Sequence, residues 1–345
     1  MSAFYQAVGW NRQKRIYDLV LWAAVIACLA VFVAITLIRD PLATAETALI
    51  RAMGTGAMVM LTIILVIGPL ARFDPRLLPL LYNRRHFGVT MCLLALGHAG
   101  FATFQFHALG NLNPVVSLLT GAADATRPGT FPFELLGLGA LTLLLLMAAT
   151  SHDFWLATLT APVWKALHMM VYLAYGLLVS HVALGSLQQT ASPVPGWLLA
   201  ASVAGVLGLH LASGARERQR DRRSLGPDTN GWVDACGVAD IPDRRARCAV
   251  VAGERVAIYR YDGMVSCVSN LCQHQNGPLS EGRVVDGCIT CPWHGYQYLP
   301  DTGRSPAPFT ERIPTFDVKV EAGRVLVRGT PNPAGTRSEP ARIIR

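Results

Sequence analysis

The stretch Cys272-Gln273-His274 is followed, after sixteen further residues, by Cys291-Pro292-Trp293-His294. Each segment pairs one cysteine with one histidine, and a glycine follows each segment, at Gly277 and Gly295. Two thiolates can bind one iron of an iron–sulfur cluster while two imidazoles bind the other iron. The spacing therefore predicts two ligand loops around a [2Fe–2S] cluster of mixed ligation, and with it a one-electron chemistry.

A zinc site with two cysteine and two histidine ligands is the alternative interpretation of the same four residues. In zinc fingers the histidines usually follow the cysteines as a separate pair. In this chain each histidine instead belongs to the segment of its own cysteine. The pattern favours the iron–sulfur cluster over zinc.

Composition divides the 345-residue chain into an apolar part and a charged part. The mean hydropathy of +0.36 is high for a soluble protein of this size, and only 15% of the residues are charged. The apolar runs lie before about residue 213, and most of the charge lies after it. We therefore predict an α-helical six-span membrane bundle. After it, short β-rich runs such as Val256-Ala257-Ile258-Tyr259, separated by Gly and Asp turns, predict a small antiparallel β domain.

Six apolar stretches reach or approach the ~20 residues that a helix needs to cross a bilayer. They lie near Tyr17–Ile38, Gly54–Leu70, Phe87–Phe106, Phe133–Thr150, Val163–Leu184 and Trp197–Ser213. Backbone groups in lipid must be hydrogen-bonded within the protein, so we expect all six to be helices. Residues 1–213 form the predicted membrane domain and 214–230 a basic linker. Residues 231–330 form the predicted β domain, and 331–345 a disordered tail. No internal repeat is evident.

The net charge of +8 comes largely from arginines beside the apolar stretches. These basic residues are Arg12, Lys14, Arg15, Arg72, Arg76, Arg84, Arg85, Arg216, Arg218, Arg220, Arg222 and Arg223. Clusters of this kind mark the cytoplasmic ends of membrane helices, and they disfavour a nucleic-acid partner. We expect a multi-pass protein of the bacterial inner membrane, in contact with lipid, with both termini and the β domain in the cytoplasm.

Histidines inside the predicted spans are the second group of candidate ligands. His98 lies in the third span, and His168 and His181 lie in the fifth, thirteen residues apart. That separation corresponds to about 20 Å along a helix and to a rotation of about 220°, so the two do not share a face. Ionisable residues in spans are usually functional, and facing imidazoles are common ligands of b-type haem. We expect one or two haems, with His86 as a further candidate ligand at the mouth of the third span. Histidines hydrogen-bonded between helices are the alternative.

Longer segments around these histidines carry a family resemblance over roughly residues 45 to 190. The segments are Gly68-Pro69-Leu70-Ala71-Arg72, Arg84-Arg85-His86-Phe87-Gly88 with His98, and Trp164-Lys165-Ala166-Leu167-His168-Met169-Met170-Val171-Tyr172 with His181. This part resembles the ferric-reductase-like transmembrane domain, most closely the haem-binding membrane subunit of the periplasmic methionine-sulfoxide reductase system. The resemblance implies haem ligation by His98, His168 and His181, and electron flow from cytoplasm to periplasm.

Residues 231 to 330 resemble Rieske ferredoxins and the Rieske domains of ring-hydroxylating oxygenases. The resemblance implies that Cys272 and Cys291 bind one iron, and that His274 and His294 bind the other. It places Ser305-Pro306-Ala307-Pro308 in the loop that covers the cluster and Tyr298 beside a cysteine sulfur. Tyr296 stands where high-potential Rieske proteins have a serine. Fewer hydrogen bonds to sulfur stabilise the reduced cluster less, so we expect a potential in the lower part of the range of about −150 to +300 mV.

Together these features predict a membrane electron-transfer protein that passes single electrons between a cytoplasmic Rieske cluster and b-type haem. The expected partners are a soluble cytoplasmic electron donor or acceptor, such as a reductase or ferredoxin, and a periplasmic redox partner or a quinone. The direction of flow stays open. The alternative is a membrane-anchored Rieske ferredoxin or redox sensor. An oxygenase is disfavoured, because no histidine follows His294 to help hold a mononuclear iron.

Overall fold

The computed structural model describes residues 12–77, 80, 83–120, 132–151, 155, 158–159, 161–188, 192–222, 225–274, 276–292 and 295–343. The chain divides into two compact units. One is helical and consists of Trp10–Arg72 with Asn83–Leu211, and the other is built mainly from Ala212–Arg345. This division follows the predicted order of an apolar helical part before a β domain.

The described helices lie between Arg12 and Asp221. In chain order they are α1 (Arg12–Arg39), α2 (Ala45–Phe73), α3 (Arg84–His107), α4 (Pro114–Thr120), α5 (Phe133–Ala149), α6 (Ala161–Met169), α7 (Val171–Leu184) and α8 (Val194–Asp221). Within the described residues, five helices are long and apolar enough to cross a membrane, with Val163–Gln188 counted as one of them. The helix α5 is apolar but has 17 residues, which corresponds to about 26 Å.

The fifth predicted span is divided, so the described part of the chain has seven helices besides the short α4 where six were predicted. The division falls at Met170, whose N–H donates to the carbonyl of Leu167 (3.1 Å). A bond that spans three residues instead of four tightens the turn and changes the direction in which the following side chains point. His168 at the end of α6 and His181 in α7 therefore belong to two separate helices.

The helical unit has a buried apolar interior and an apolar exterior. Leu61, Leu94 and Leu144 are among the residues of its core. Three side-chain hydroxyls are also linked there, because Ser202 Oγ lies 2.7 Å from both Thr62 Oγ1 and Tyr175 Oη. Large apolar side chains also cover the outside, among them Leu19, Ile26, Phe104, Leu207 and Leu211. Soluble proteins rarely expose so much contiguous apolar surface, so this exterior fits a lipid environment.

The second unit contains the antiparallel β domain that the sequence predicted, and its strands form two sheets. Its strands are β1 (Trp232–Gly237), β2 (Arg245–Val251), β3 (Glu254–Tyr261), β4 (Met264–Ser269), β5 (Arg283–Val285), β6 (Cys288–Thr290), β7 (Gln297–Tyr298), β8 (Thr315–Phe316), β9 (Val318–Glu321), β10 (Arg324–Arg328) and β11 (Ala341–Arg342). A three-stranded sheet has the order β1-β10-β9. The larger sheet has the order β11-β4-β3-β2-β5-β6-β7, with β8 paired to β4.

Strand β3 separates two buried clusters in this domain. Successive side chains of a strand point to opposite faces, and both faces of β3 are covered. Val256 and Ile258 pack into a cluster with Phe316. Ala257 and Tyr259 pack into the other cluster, which holds the two predicted cysteine ligands. The ligand loops therefore rest on one face of a strand whose other face is anchored in an apolar core.

The structure differs from the predicted linker and tail. The helix α8 continues to Asp221, and Arg255 of β3 donates to the carboxylates of Asp221 (2.8 Å) and Glu217, one turn apart. In the predicted tail, β11 pairs with β4, and Asn332 N–H donates to Thr315 O (2.8 Å). Composition suggested disorder there, but an edge strand offers unpaired backbone groups to any segment that reaches it.

Candidate metal centres

Two loops of the β domain carry the predicted cluster ligands and share one backbone pattern. Cys272 N–H donates to Gly277 O (3.0 Å), and Asn276 N–H donates back to Cys272 O (2.6 Å). In the second loop, Cys291 N–H donates to Tyr296 O (2.7 Å), and Gly295 N–H donates to Cys291 O (3.0 Å). Each cysteine thus lies at the start of a closed turn whose hydrogen bonds fix its backbone.

The fourth residue after each cysteine has a left-handed backbone. Asn276 has φ 57° and Gly295 has φ 72°. Glycine adopts this conformation without steric cost, and asparagine is among the few other residues that adopt it routinely. The matching turns explain why these two residue types follow the two cysteines.

The turns bury three of the four predicted ligands, and the two cysteines belong to one buried cluster. Cys272 and Cys291 are fully buried and His274 is 3% exposed. Tyr298 Oη lies 3.4 Å from Cys272 Sγ and accepts a hydrogen bond from Gln273 N–H (3.0 Å). His294, the fourth predicted ligand, lies outside the described residues.

The electrostatics of this cluster suit metal ligation. Burial lowers the pKa of His274 to about 4, in spite of the opposing effect of Glu311, so the imidazole is neutral near pH 7. A neutral imidazole is the form that binds a metal. Burial and then the nearby Cys272 raise the pKa of Tyr298. Its hydroxyl therefore stays protonated and can donate to the sulfur.

Tyr296 packs against the predicted histidine ligand but bonds elsewhere. Its ring stacks parallel to that of His274, with centroids 4.8 Å apart, and Phe309 packs against its edge at 4.9 Å. Its hydroxyl donates to the carboxylate of Glu311. Glu311 was not among the candidate residues, and no sequence pattern around it indicated this contact. The predicted covering loop turns tightly beside this pair, with Ser305 N–H donating to Glu311 O (3.0 Å).

Two histidines of the helical unit face each other. The ring centroids of His98 in α3 and His181 in α7 lie 6.3 Å apart, with the ring planes at 84°. His98 Nδ1 lies 3.0 Å from the carbonyl of Ile50, and His181 Nδ1 lies 2.8 Å from the carbonyl of Phe133. Nδ1 is the donor in both bonds, which leaves Nε2 as the nitrogen with a lone pair on each ring.

The other two candidate histidines have different neighbours. The ring of His168 stacks on that of Trp164 at 3.4 Å, its Nδ1 donates to Trp164 O (3.0 Å), and its Nε2 lies 3.4 Å from Ser151 Oγ. His86 Nδ1 lies 2.8 Å from the Asp18 carboxylate. The structure therefore joins His98 with His181 as a pair and gives His168 and His86 separate surroundings.

Family models match both parts of the chain. Residues 53–179 match the ferric reductase like transmembrane component, and residues 231–317 match the Rieske [2Fe-2S] domain. The chain joins a ferric-reductase-like transmembrane domain to a Rieske [2Fe–2S] domain. The predicted families and fold class are thereby confirmed. The closer likeness to the methionine-sulfoxide reductase subunit stays a prediction.

Curated relatives match the Rieske domain. The ferredoxin component of a naphthalene 1,2-dioxygenase system from Pseudomonas aeruginosa is 34% identical over 29% of this chain and 96% of its own length. Cholesterol 7-desaturase nvd from Xenopus laevis is also 34% identical, over 29% of this chain and 23% of its own length. A solved complex of oxygenase and ferredoxin in carbazole 1,9a-dioxygenase is 29% identical, with a TM-score of 0.28, over 30% of this chain and 96% of that chain.

These findings make the chain a membrane redox protein with electron-transfer partners. The Rieske domain supports the predicted [2Fe–2S] cluster, and the ferric-reductase-like domain supports a membrane environment. The buried Cys272, Cys291 and His274 fit such a cluster in their burial and in the neutral state of the histidine.

Proposed function

We propose that this protein passes single electrons between a [2Fe–2S] cluster in its Rieske domain and a b-type haem held by His98 and His181. The cluster ligands would be Cys272, His274, Cys291 and His294. The proposal depends on the haem ligands, because a haem in the helical bundle distinguishes an electron conduit from an anchored ferredoxin. Spectroscopy of the purified full-length chain for both cofactors tests the proposal, and a protein without haem would contradict it.

The spacing of His98 and His181 supports haem ligation. A metal–imidazole bond of about 2.0 Å on each side of one iron puts the two ring centroids about 6 Å apart. The observed separation is 6.3 Å. A carbonyl also holds Nδ1 of each ring, which fixes the tautomer that presents Nε2 to a metal. Haem bound there would supply reversible one-electron chemistry inside the apolar bundle.

A second haem is proposed with His168 as a ligand and His86 as its candidate partner. Nδ1 of His168 is held by a backbone carbonyl, as it is in both His98 and His181. Nδ1 of His86 is held by the Asp18 carboxylate. Carboxylate or carbonyl partners of this kind orient metal-binding histidines. The number of haems per [2Fe–2S] cluster, measured in the wild-type protein and in His168→Ala, tests this second site. A ratio that does not change in the variant would remove His168 from the proposal.

The orientation of the chain is proposed from its arginines. Arg84 and Arg85 begin α3, and Arg216, Arg218 and Arg222 follow the apolar part of α8. Basic clusters stay on the cytoplasmic side, so both termini and the Rieske domain would lie in the cytoplasm of a bacterial inner membrane. A soluble reductase or ferredoxin would exchange electrons there. A quinone or a periplasmic redox protein would do so at the other side.

An anchored Rieske ferredoxin is the second candidate function. It is favoured by the relatives, since the first one described above is itself a ferredoxin component of a dioxygenase system. In that case the helices would only hold the domain at the membrane. The reduced α-band of b-type haem separates the two functions, because the anchor requires none.

Replacing Tyr298 with phenylalanine is expected to lower the midpoint potential of the cluster. The variant loses the hydroxyl beside Cys272 Sγ, and a hydrogen bond to sulfur stabilises the reduced cluster. A bond of about 1 kcal/mol corresponds to roughly 40 mV in a one-electron couple. Redox titration followed by EPR measures the shift. Tyr261→Phe is the control, because its hydroxyl bonds Ser266 instead (2.7 Å). Equal potentials in both variants would contradict the role of Tyr298.

A further inference from the structure

Two helix glycines lie directly against the facing histidines. A Cβ atom built on Gly54 would lie 2.9 Å from His98 Nδ1 and 3.0 Å from its Cε1. A Cβ atom on Gly137 would lie 2.8 Å from His181 Nδ1 and 2.9 Å from its Cε1. Real Cβ atoms essentially never lie less than 3.0 Å from such a neighbour, and the distances to both Nδ1 atoms are below that limit. Each ring thus occupies space that any other residue at these positions would fill.

Each glycine lies one turn after the carbonyl that holds its histidine. Ile50 precedes Gly54 by four residues, and Phe133 precedes Gly137 by four residues. In an α-helix the carbonyl of one residue already accepts the N–H of the residue four positions later. A carbonyl oxygen has a second lone pair, and the missing side chain lets the imidazole reach it. The glycine and the carbonyl therefore act together on one ring.

The arrangement occurs twice with the same spacing. Gly54 and His98 are 44 positions apart, as are Gly137 and His181. The carbonyl and the histidine are 48 positions apart in both cases. Both glycines also open a Gly-x-Gly segment, Gly54-Thr55-Gly56 and Gly137-Leu138-Gly139. The glycine, carbonyl and histidine of one site are thus related to those of the other site by a single offset of 83 residues. The residue 83 positions before His168 is Arg85, so this correspondence relates His98 to His181 and does not extend to His168.

We infer that Gly54 and Gly137 are positioning residues that hold the imidazoles of His98 and His181 in crossed planes on a single haem. This inference rests on the proposed function, because it concerns the haem named there. Each ring is fixed by a different helix, α2 for His98 and α5 for His181. The interplanar angle of 84° is therefore set by two independent supports.

Crossed axial imidazoles have a spectroscopic signature. A low-spin ferric haem whose two ligand planes are perpendicular gives a strongly anisotropic EPR spectrum with one unusually large g value. Ligand planes closer to parallel give an ordinary rhombic spectrum instead. The bond from Nδ1 to a carbonyl also makes the imidazole a stronger electron donor to the metal. Loss of that bond is expected to raise the midpoint potential of the haem.

The chain offers matched controls two residues from each glycine. A Cβ atom on Gly56 would lie 3.7 Å from its nearest neighbours, and one on Gly139 would lie 3.6 Å from Leu177. Both distances are ordinary van der Waals contacts. Gly56→Ala and Gly139→Ala therefore make the same change in the same helices without touching a histidine.

The test is low-temperature EPR and optical redox titration of the full-length protein in detergent. Wild type, Gly56→Ala and Gly139→Ala are expected to show the strongly anisotropic signal. Gly54→Ala and Gly137→Ala are each expected to replace it with a rhombic or high-spin signal at a higher potential, or to lose the haem while their controls keep it.

Three results would overturn the inference while the proposed function stands. They are a wild-type spectrum that is already rhombic, an unchanged spectrum in Gly54→Ala and Gly137→Ala, and equal haem loss in all four variants. A wild-type protein without haem is a different outcome, because it removes the proposed function itself. The two failures are therefore distinguishable in one set of samples.

Discussion

Replacing His98 or His181 with alanine is expected to remove the b-type haem spectrum of their site and to leave the EPR signal of the [2Fe–2S] cluster intact. The two rings face each other at 6.3 Å, so each would help to hold the haem. Loss of a residue that merely bonds to a ligand costs about 10–100-fold in metal affinity, and loss of the ligand itself should cost more. Reduced-minus-oxidised spectra and EPR on the same sample measure both cofactors.

His210→Ala is the matched control for these variants. His210 is also a histidine of the helical unit, but it lies 3.0 Å from Tyr172 Oη and bonds the carbonyl of Val206 (2.8 Å). The His210→Ala variant should keep the haem of the His98–His181 site. Full haem content in either His98→Ala or His181→Ala would contradict the proposed ligand pair. Loss of both cofactors together would indicate general unfolding.

Replacing Cys272 or Cys291 with serine is expected to abolish the cluster signal and to leave the haem spectrum unchanged. Both cysteines are fully buried at the start of their turns, and an iron–sulfur cluster is held by thiolates that serine does not supply. EPR of the dithionite-reduced protein, with iron and sulfide analysis, measures the loss.

Cys288→Ala is the control for the cluster variants. Cys288 is 1% exposed and lies in β6, three residues before Cys291. It tests whether any buried cysteine of this region is needed. A cluster that disappears equally in Cys288→Ala would point to instability of the domain. A cluster that survives in Cys272→Ser would contradict the ligand assignment.

The ligand loops were predictable because their chemistry is local in sequence. Cys-x-His and Cys-x-x-His place both ligand types within three residues, and Gly295 permits the left-handed turn that follows. The six apolar stretches were predictable for a similar reason, since lipid demands about 20 apolar residues in a row. The positions of both domains therefore followed from short patterns.

Other features depended on contacts between distant residues. The division of the fifth span at Met170 changes one backbone bond and has no compositional signal. The pairing of β11 with β4 joins segments about 75 residues apart, and loop closure over such distances is not visible in local propensity. The repeated glycine, carbonyl and histidine were missed because only a few widely spaced positions recur. The carbonyl belongs to the backbone, so residues of different types, Ile50 and Phe133, can supply it.

The central claim is that electrons pass between the Rieske cluster and the haem of the same chain. The most direct measurement uses proteoliposomes and an enzymatically reduced soluble ferredoxin, a donor that cannot cross the membrane, supplied anaerobically to the side that carries the Rieske domain. Haem reduction is followed at the α-band in wild type, Cys272→Ser and Cys288→Ala. We expect rapid reduction in wild type and Cys288→Ala, and reduction slower by at least about tenfold in Cys272→Ser, equivalent to about 1.4 kcal/mol of activation free energy. Equal rates with and without the cluster would contradict the account.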